Sequence, residues 1–144
     1  MNLYLDTSAL VKRYIAEVGS GDVSQWIAEA EVTATSLISR AEASAAFARA
    51  TRMGAISRQS GEKAVKSLAA HWPRYMKTPI SEKTISRAAE LAWSLGLRGY
   101  DAVQLASAEA LQSALGTPVT LVSYDRQLAE AGRQIGLDVR PKEL

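Results

Sequence analysis

The sequence predicts a single α/β domain, residues 1–144, with a mostly parallel β-sheet of about four or five strands flanked by helices. Two short runs, at 3–5 and 119–122, are almost wholly apolar, as expected for strands that are covered on both faces. Longer segments with the apolar spacing of helices separate these runs, and such alternation is typical of parallel sheets. A chain of 144 residues with 47% hydrophobic side chains suits one domain with one core.

The pattern of the first half of the chain predicts a strand at its start and then mainly helices. Amphipathic spacing indicates the helices, and β-branched residues indicate the second strand. The predicted elements are, in order, a strand at 3–5, a helix at 8–17, a helix that begins at Asp22, a strand at 32–35 and a helix at 37–53 that Gly54 ends.

The second half repeats the alternation of helices and short strands. Pro79 lies in the short strand predicted at 78–80, and a proline there favours a position at the edge of the sheet. The predicted elements are a helix at 57–77 ending near Pro73, an edge strand at 78–80, helices at 81–95 and from Asp101, a strand at 119–122, a helix at 126–135 and a last strand at 136–139.

The alanine-rich helix at 37–53 carries the first candidate site residue, Glu42. The apolar side of this helix is predicted to contain Ile38, Ala41, Ala45 and Ala46. Glu42 lies at the edge of that side, where an unpaired carboxylate is costly to bury. An ion pair with Arg13 or Arg49 is the purely structural explanation for it.

Three aspartates stand where strands end or helices begin. Asp6 and Asp125 follow the two apolar strands, and Asp101 opens a helix that is small or apolar almost all round. Each of them also suits a helix N-cap, and Asp101 with Gln104 fits a capping box. In an open α/β sheet, however, the carboxyl ends of the strands are where ligands bind.

Four acids at converging element ends favour a metal site over four separate structural roles. Clustered carboxylates repel one another unless a cation intervenes. Oxygen ligands with few carboxylates suit Mg²⁺ or Mn²⁺, which can polarise a phosphodiester and activate a water. We therefore predict a metal site formed by Asp6, Glu42, Asp101 and Asp125.

Several other chemistries are disfavoured. The chain has no cysteine, which fits a reducing cytoplasm and leaves no thiolate nucleophile or ligand. Its single histidine, His71, lies away from every acidic motif, so a Ser-His-Asp triad is not expected. Neither a phosphate-binding G-x-x-x-x-G-K-[ST] loop nor a G-x-G-x-x-G motif occurs. No membrane segment is expected.

The charge is distributed unevenly along the chain. Residues 49–87 contain nine basic and two acidic side chains, whereas the remainder has eight basic and thirteen acidic ones. A basic segment beside an acidic site suits a phosphate-rich ligand, although charged runs more often reflect solvated helix faces.

Four motifs follow one another along the chain: LDTSALV at 5–11, SRAE at 39–42, YDAVQLA at 100–106 and VSYDRQL at 122–128. Together they resemble the motifs of PIN-domain ribonucleases, and more narrowly those of VapC-type toxins of toxin-antitoxin pairs. The likeness extends over essentially the whole chain. Two positions depart from the usual pattern: Gln104 stands where many relatives have His, and Ser123 where many have Thr.

The resemblance implies Mg²⁺- or Mn²⁺-dependent hydrolysis of RNA phosphodiester bonds by the four acids. It further implies that Ser123, Thr7 and Ser8 support the site by orienting a carboxylate or a water. A homodimer, a cognate antitoxin protein and contacts between the basic segment and the RNA backbone are also expected. The alternative is a catalytically silent PIN-like domain that binds RNA or protein. A phosphotransfer enzyme with Asp6 as nucleophile is disfavoured, because Ser8 stands where such enzymes usually have a second Asp.

Overall fold

Five short runs form the strands of one sheet in the computed structural model, which describes all 144 residues. They are β1 (Asn2–Leu5), β2 (Val32–Ser36), β3 (Met76–Thr78), β4 (Val119–Val122) and β5 (Asp138–Arg140). Every neighbouring pair is parallel, and the strand order is β3-β2-β1-β4-β5. The predicted α/β class with a mostly parallel sheet is confirmed, and the sheet has five strands.

Helices connect the strands and cover both faces of the sheet. They are α1 (Thr7–Lys12), α2 (Ser20–Glu29), α3 (Ser39–Arg52), α4 (Arg58–His71), α5 (Glu82–Leu95), α6 (Gly99–Leu115) and α7 (Arg126–Gln134), with a short 3-10 turn at Trp72–Arg74 after α4. No helix combines the length and the hydropathy that crossing a membrane requires.

The hydrophobic core lies on both sides of the central strand β1. Tyr4 packs in one cluster with Leu105 of α6, while Leu3 and Leu5 pack in the other with Phe47 of α3. This division follows from the pleat, because successive side chains of a strand point to opposite faces. All four residues of β4 are also buried. The two almost wholly apolar runs were therefore correctly interpreted as strands that are covered on both faces.

The register of β1 and β4 brings two loops side by side at the carboxyl edge of the sheet. Leu5 pairs with Val122, so Asp6 and Ser123 are the first residues beyond neighbouring strand ends. The Asp6 backbone N–H donates to the Val122 carbonyl at 3.2 Å. The sheet thus fixes the backbone on which the candidate site is assembled.

Helix α1 is shorter than the predicted helix at 8–17. Beyond Lys12 the chain turns and is held by side chains: Lys12 Nζ donates to Glu17 Oε1 at 3.0 Å and to the Val18 carbonyl at 2.8 Å. Ser20 Oγ donates to the Ile15 carbonyl at 3.0 Å. These bonds compete with helical ones, as local polar side chains do in short connections.

The predicted buried side of α3 is wrong. Ala41 and Ala45 are exposed, and the helix instead buries Ser39, Ala43 and Phe47. The large apolar side chain of Phe47 sets the buried face, because small alanines on every side of the helix gain little from burial. Glu42 is partly buried, as its predicted place at the edge of the core required.

Candidate active site

Asp6 is the most buried acid of the site, with 3% of its surface exposed. Its Oδ1 accepts hydrogen bonds from Ser8 Oγ at 2.6 Å and from the Ala9 backbone N–H at 2.9 Å, so Asp6 is also the N-cap of α1. Its Oδ2 accepts one from Ser123 Oγ at 2.5 Å. Burial raises the pKa of Asp6 to about 6 even though these bonds favour the charged form, and the charge of Asp125 contributes to the rise.

The loop after β4 repeats this arrangement around Asp125. Asp125 Oδ1 accepts from the Leu128 N–H at 2.9 Å and caps α7. Fully buried Ser123 accepts from the Asp125 N–H at 3.1 Å, and Ser8 Oγ accepts from the Tyr124 N–H at 2.9 Å. Two of the predicted supporting residues, Ser8 and Ser123, therefore contact Asp6 directly and also link the loops that follow β1 and β4.

Glu42 is held by neutral hydrogen bonds and not by an ion pair. Its Oε1 accepts from Thr7 Oγ1 and from Gln104 Nε2, both at 3.0 Å. The predicted ion pair with Arg13 or Arg49 is wrong: Arg13 donates to the Tyr75 hydroxyl at 3.2 Å. Arg13 follows the last residue of α1, about 9 Å along the helix axis from Thr7, which begins that helix and binds Glu42.

Asp101 lies in the first turn of α6 and is partly buried. Burial raises its pKa, the charges of Asp125 and Glu42 raise it further, and Arg98 opposes the rise. Arg98 Nε is 4.0 Å from Asp101 Oδ2. The predicted capping box is wrong, because Arg98 is the N-cap of α6 and the Gln104 side chain bonds elsewhere.

The four predicted acids influence one another across the site. The charge of Asp125 acts on both Asp6 and Asp101, and that of Glu42 acts on Asp101. Arg98 is the only cationic side chain that forms an ion pair with any of the four.

The side chains do not form a ready-made metal site, since no three acidic or histidine side chains lie close enough together to hold an ion. The donor set nevertheless fits Mg²⁺ or Mn²⁺. Mg²⁺ needs only one or two direct carboxylates, because it keeps several of its waters, and the excess of negative charge at the site favours a cation. The metal site remains a prediction.

Three buried polar residues beside the acids were not predicted as part of the site. The Tyr4 hydroxyl donates to Gln104 Oε1 at 2.6 Å, and Gln104 Nε2 lies 3.1 Å from Ser39 Oγ. The available signal was Gln104 itself. An amide in a helix that is otherwise small or apolar must find buried partners.

A protein-family model described as the PIN domain matches residues 3–134 of the chain. The chain belongs to the PIN domain family. This PIN domain is 34% identical over 138 residues to Ribonuclease VapC35 of Mycobacterium tuberculosis, covering 95% of this chain and 94% of that protein. It is 30% identical over 143 residues to Ribonuclease VapC49 of the same organism, and the match covers 99% of this chain and 96% of that protein. The predicted kinship with VapC ribonucleases is thus confirmed.

A solved structure supports the fold. The crystal structure of Mycobacterium tuberculosis VapC20, described as a sarcin-ricin loop cleaving toxin, superimposes with a TM-score of 0.66. The match covers 91% of this PIN domain and 95% of that chain, with 16% sequence identity. The two proteins therefore share the PIN fold.

Proposed function

We propose that this PIN domain is a metal-dependent endoribonuclease, the toxin of a type II toxin-antitoxin pair, that hydrolyses RNA phosphodiester bonds. The observation that carries the proposal is the buried carboxylate of Asp6 beside two further acids, Asp101 and Asp125, with Arg98 as the only paired cation. Carboxylates that repel one another favour binding of a cation. Membership of the VapC ribonucleases supports RNA as the substrate.

Asp6, Glu42, Asp101 and Asp125 would hold Mg²⁺ or Mn²⁺, because their oxygens are the ligands that these ions prefer. Such an ion, when bound, polarises the phosphodiester and makes a water nucleophilic near neutral pH. Ser8 and Ser123 fix Asp6 from two sides, so its orientation is set in advance of ligand binding.

The contacts of Thr7 and His71 agree with a site in which the acids hold the metal. Thr7 binds one oxygen of Glu42 and leaves the other available. His71 is not expected to take part, because its Nδ1 is 3.0 Å from the Tyr14 hydroxyl and it belongs to α4, outside the group of acids. Proton transfer would therefore depend on the carboxylates themselves.

The basic segment at 49–87 would bind the RNA backbone. Seven of its nine basic side chains are exposed, whereas Lys77 and Arg87 are partly buried. Arg87 is paired with Glu90 and Glu109, so it contributes little free charge. Exposed Lys and Arg supply affinity for phosphate with little sequence choice. Selection of a particular RNA would then depend on other contacts at the site.

Two protein partners belong to the same proposal, a cognate antitoxin and a second copy of the chain. An apolar groove of about 500 Å³ between α5 and α6 supports the homodimer. Its lining includes Ile80, Ile85 and Tyr100, which are 43%, 41% and 62% exposed. Large exposed apolar side chains around one groove favour a protein interface. The proposed RNA substrate would place the protein in the cytoplasm.

The second candidate is a catalytically silent domain that binds RNA or protein, which the uneven charge favours. Purified protein, free of antitoxin, would be incubated with a panel of tRNA, rRNA and unstructured RNA in Mg²⁺, in Mn²⁺ and in chelator. The ribonuclease proposal predicts cleavage that requires a metal and is lost in Asp6→Asn. Salt-sensitive RNA binding without cleavage in any metal would favour the silent domain.

A further inference from the structure

Gln104 occupies the centre of a buried polar network that joins three elements of the fold. It is 2% exposed and lies on α6, one turn beyond Asp101. Its Nε2 lies 3.0 Å from Glu42 Oε1, 3.1 Å from Ser39 Oγ and 3.3 Å from Thr7 Oγ1. The network therefore connects α6 to the start of α1 and to the first turn of α3.

The chemistry of its partners fixes the orientation of the Gln104 amide. An ionised carboxylate only accepts hydrogen bonds, so the NH₂ group must face Glu42. The opposite end is then the carbonyl oxygen, to which the Tyr4 hydroxyl donates at 2.6 Å. Tyr4 is fully buried near the end of β1, the central strand of the sheet. A rigid donor thus holds one end of the amide while the other end holds the acid.

The consequence for Glu42 is that its two carboxylate oxygens differ in how many hydrogen bonds they accept. Oε1 accepts from both Thr7 and Gln104, which leaves Oε2 for a ligand. We propose that Gln104 is a positioning residue that orients Glu42 toward the divalent cation. This inference rests on the proposed function, because it takes Glu42 to be one of the ligands. Partners of this kind in metal sites are typically worth about 10- to 100-fold in metal affinity or activity.

The test is calorimetric titration of Mn²⁺ into metal-free protein without RNA, together with the Mn²⁺ concentration that gives half-maximal cleavage. Gln104→Met keeps nearly the same volume and removes both hydrogen-bonding ends. We expect it to weaken Mn²⁺ binding by about 10-fold or more and to raise the Mn²⁺ requirement to match. Gln104→His should restore most of the affinity, because an imidazole N–H can donate to Glu42.

Gln112 provides a matched control on the same helix. Its Oε1 accepts from the Val119 N–H at 2.9 Å, far from the acids in the fold, so Gln112→Met removes a comparable bond. We expect that variant to keep wild-type Mn²⁺ affinity. If Gln104→Met does not fold, Tyr4→Phe removes only the hydroxyl that anchors Gln104, and a smaller loss of affinity in the same direction is expected.

Wild-type Mn²⁺ affinity in a folded Gln104→Met protein with a lowered melting temperature would overturn the inference, since it would show a packing role alone. Failure of Gln104→His to recover affinity would also overturn it. A wild-type protein that binds Mn²⁺ but cleaves no RNA would contradict the proposed function, while the comparison of affinities would still decide the role of Gln104.

Discussion

Replacing Asp6 by Asn should stabilise the metal-free protein at neutral pH, although it removes a central acid of the site. Burial raises the pKa of Asp6 from its ordinary value of 3.8 to about 6. The folded state therefore binds the proton more tightly than the unfolded chain does. The stability linked to that proton is complete below pH 3.8 and is lost as the pH rises through 6. Asn has nearly the same shape and no charge, so it avoids the loss.

The size of the effect follows from the two pKa values. A rise from 3.8 to about 6 corresponds to about 3 kcal/mol between the fully protonated and fully ionised limits. Between pH 4.5 and pH 7.5 the same linkage gives about 2 kcal/mol. The free energy of unfolding of Asp6→Asn, relative to wild type, should therefore increase by about 2 kcal/mol over that interval.

Urea unfolding followed by circular dichroism in chelator, at both pH values, measures this difference. Added Mg²⁺ should then stabilise wild type at pH 7.5 more than Asp6→Asn, since a ligand that binds only the folded state raises its stability. Asp138→Asn is the control that should show no such change. Burial acts to raise the pKa of Asp138, but bonds from Lys142 and Thr120 lower it overall from its ordinary value of 3.8, so its contribution to stability is lost only at pH values below the interval measured. The stability difference between Asp138→Asn and wild type should therefore stay nearly constant from pH 4.5 to pH 7.5.

A constant stability difference between Asp6→Asn and wild type from pH 4.5 to pH 7.5 would refute the reasoning. It would mean that the Asp6 carboxylate is as well solvated in the folded protein as in the unfolded chain. Equal stabilisation of both proteins by Mg²⁺ would separately contradict the place of Asp6 in the metal site.

Three further changes test other parts of the structure. Ser123→Ala removes a bond that favours ionised Asp6, so the pKa of Asp6 should rise further. The acidic limb of the pH profile of RNA cleavage should then move to higher pH. An acidic limb at the wild-type pH would contradict a role of this bond in cleavage. Lys63 is exposed on α4. In filter-binding measurements, Lys63→Ala should reduce by about one the slope of the logarithm of the RNA-binding constant against the logarithm of the salt concentration. A slope equal to that of wild type would exclude Lys63 from the RNA contact. Ile85→Lys, in the apolar groove, should convert a dimer to a monomer in light scattering, and a persisting dimer would place the interface elsewhere.

The central strands and the acids that follow them were predictable because the relevant signals are local. β1 and β4 are almost wholly apolar, which is typical of strands in a sheet covered on both faces. Once those strands are parallel neighbours, Asp6 and Asp125 follow at one edge of the sheet. The two ends of α5 were predictable from equally local signals. Ser81 caps the start of the helix, and Gly96, which follows its last residue, has a φ of 66°.

The partners of Glu42 were not predictable, because they depend on how distant helices pack. Gln104 is 62 residues away in sequence and reaches Glu42 only after α6 has docked against the sheet. Arg13 and Arg49 offered a complementary charge, and Arg49 also lies on the same helix as Glu42. The buried face of α3 was missed for a related reason, because an alanine-rich helix has little amphipathic signal to orient it.

Single-turnover cleavage of end-labelled RNA by metal-free protein supplied with Mn²⁺ tests the central claim most directly. Wild type and Asp22→Asn, a change at an exposed residue of α2, should cleave only when the metal is present. Asp101→Asn should be slower by about 100-fold or more, since a direct ligand matters at least as much as its supporting partners. Wild-type rates in Asp101→Asn, or cleavage by wild type in chelator, would contradict a metal-dependent ribonuclease centred on these acids.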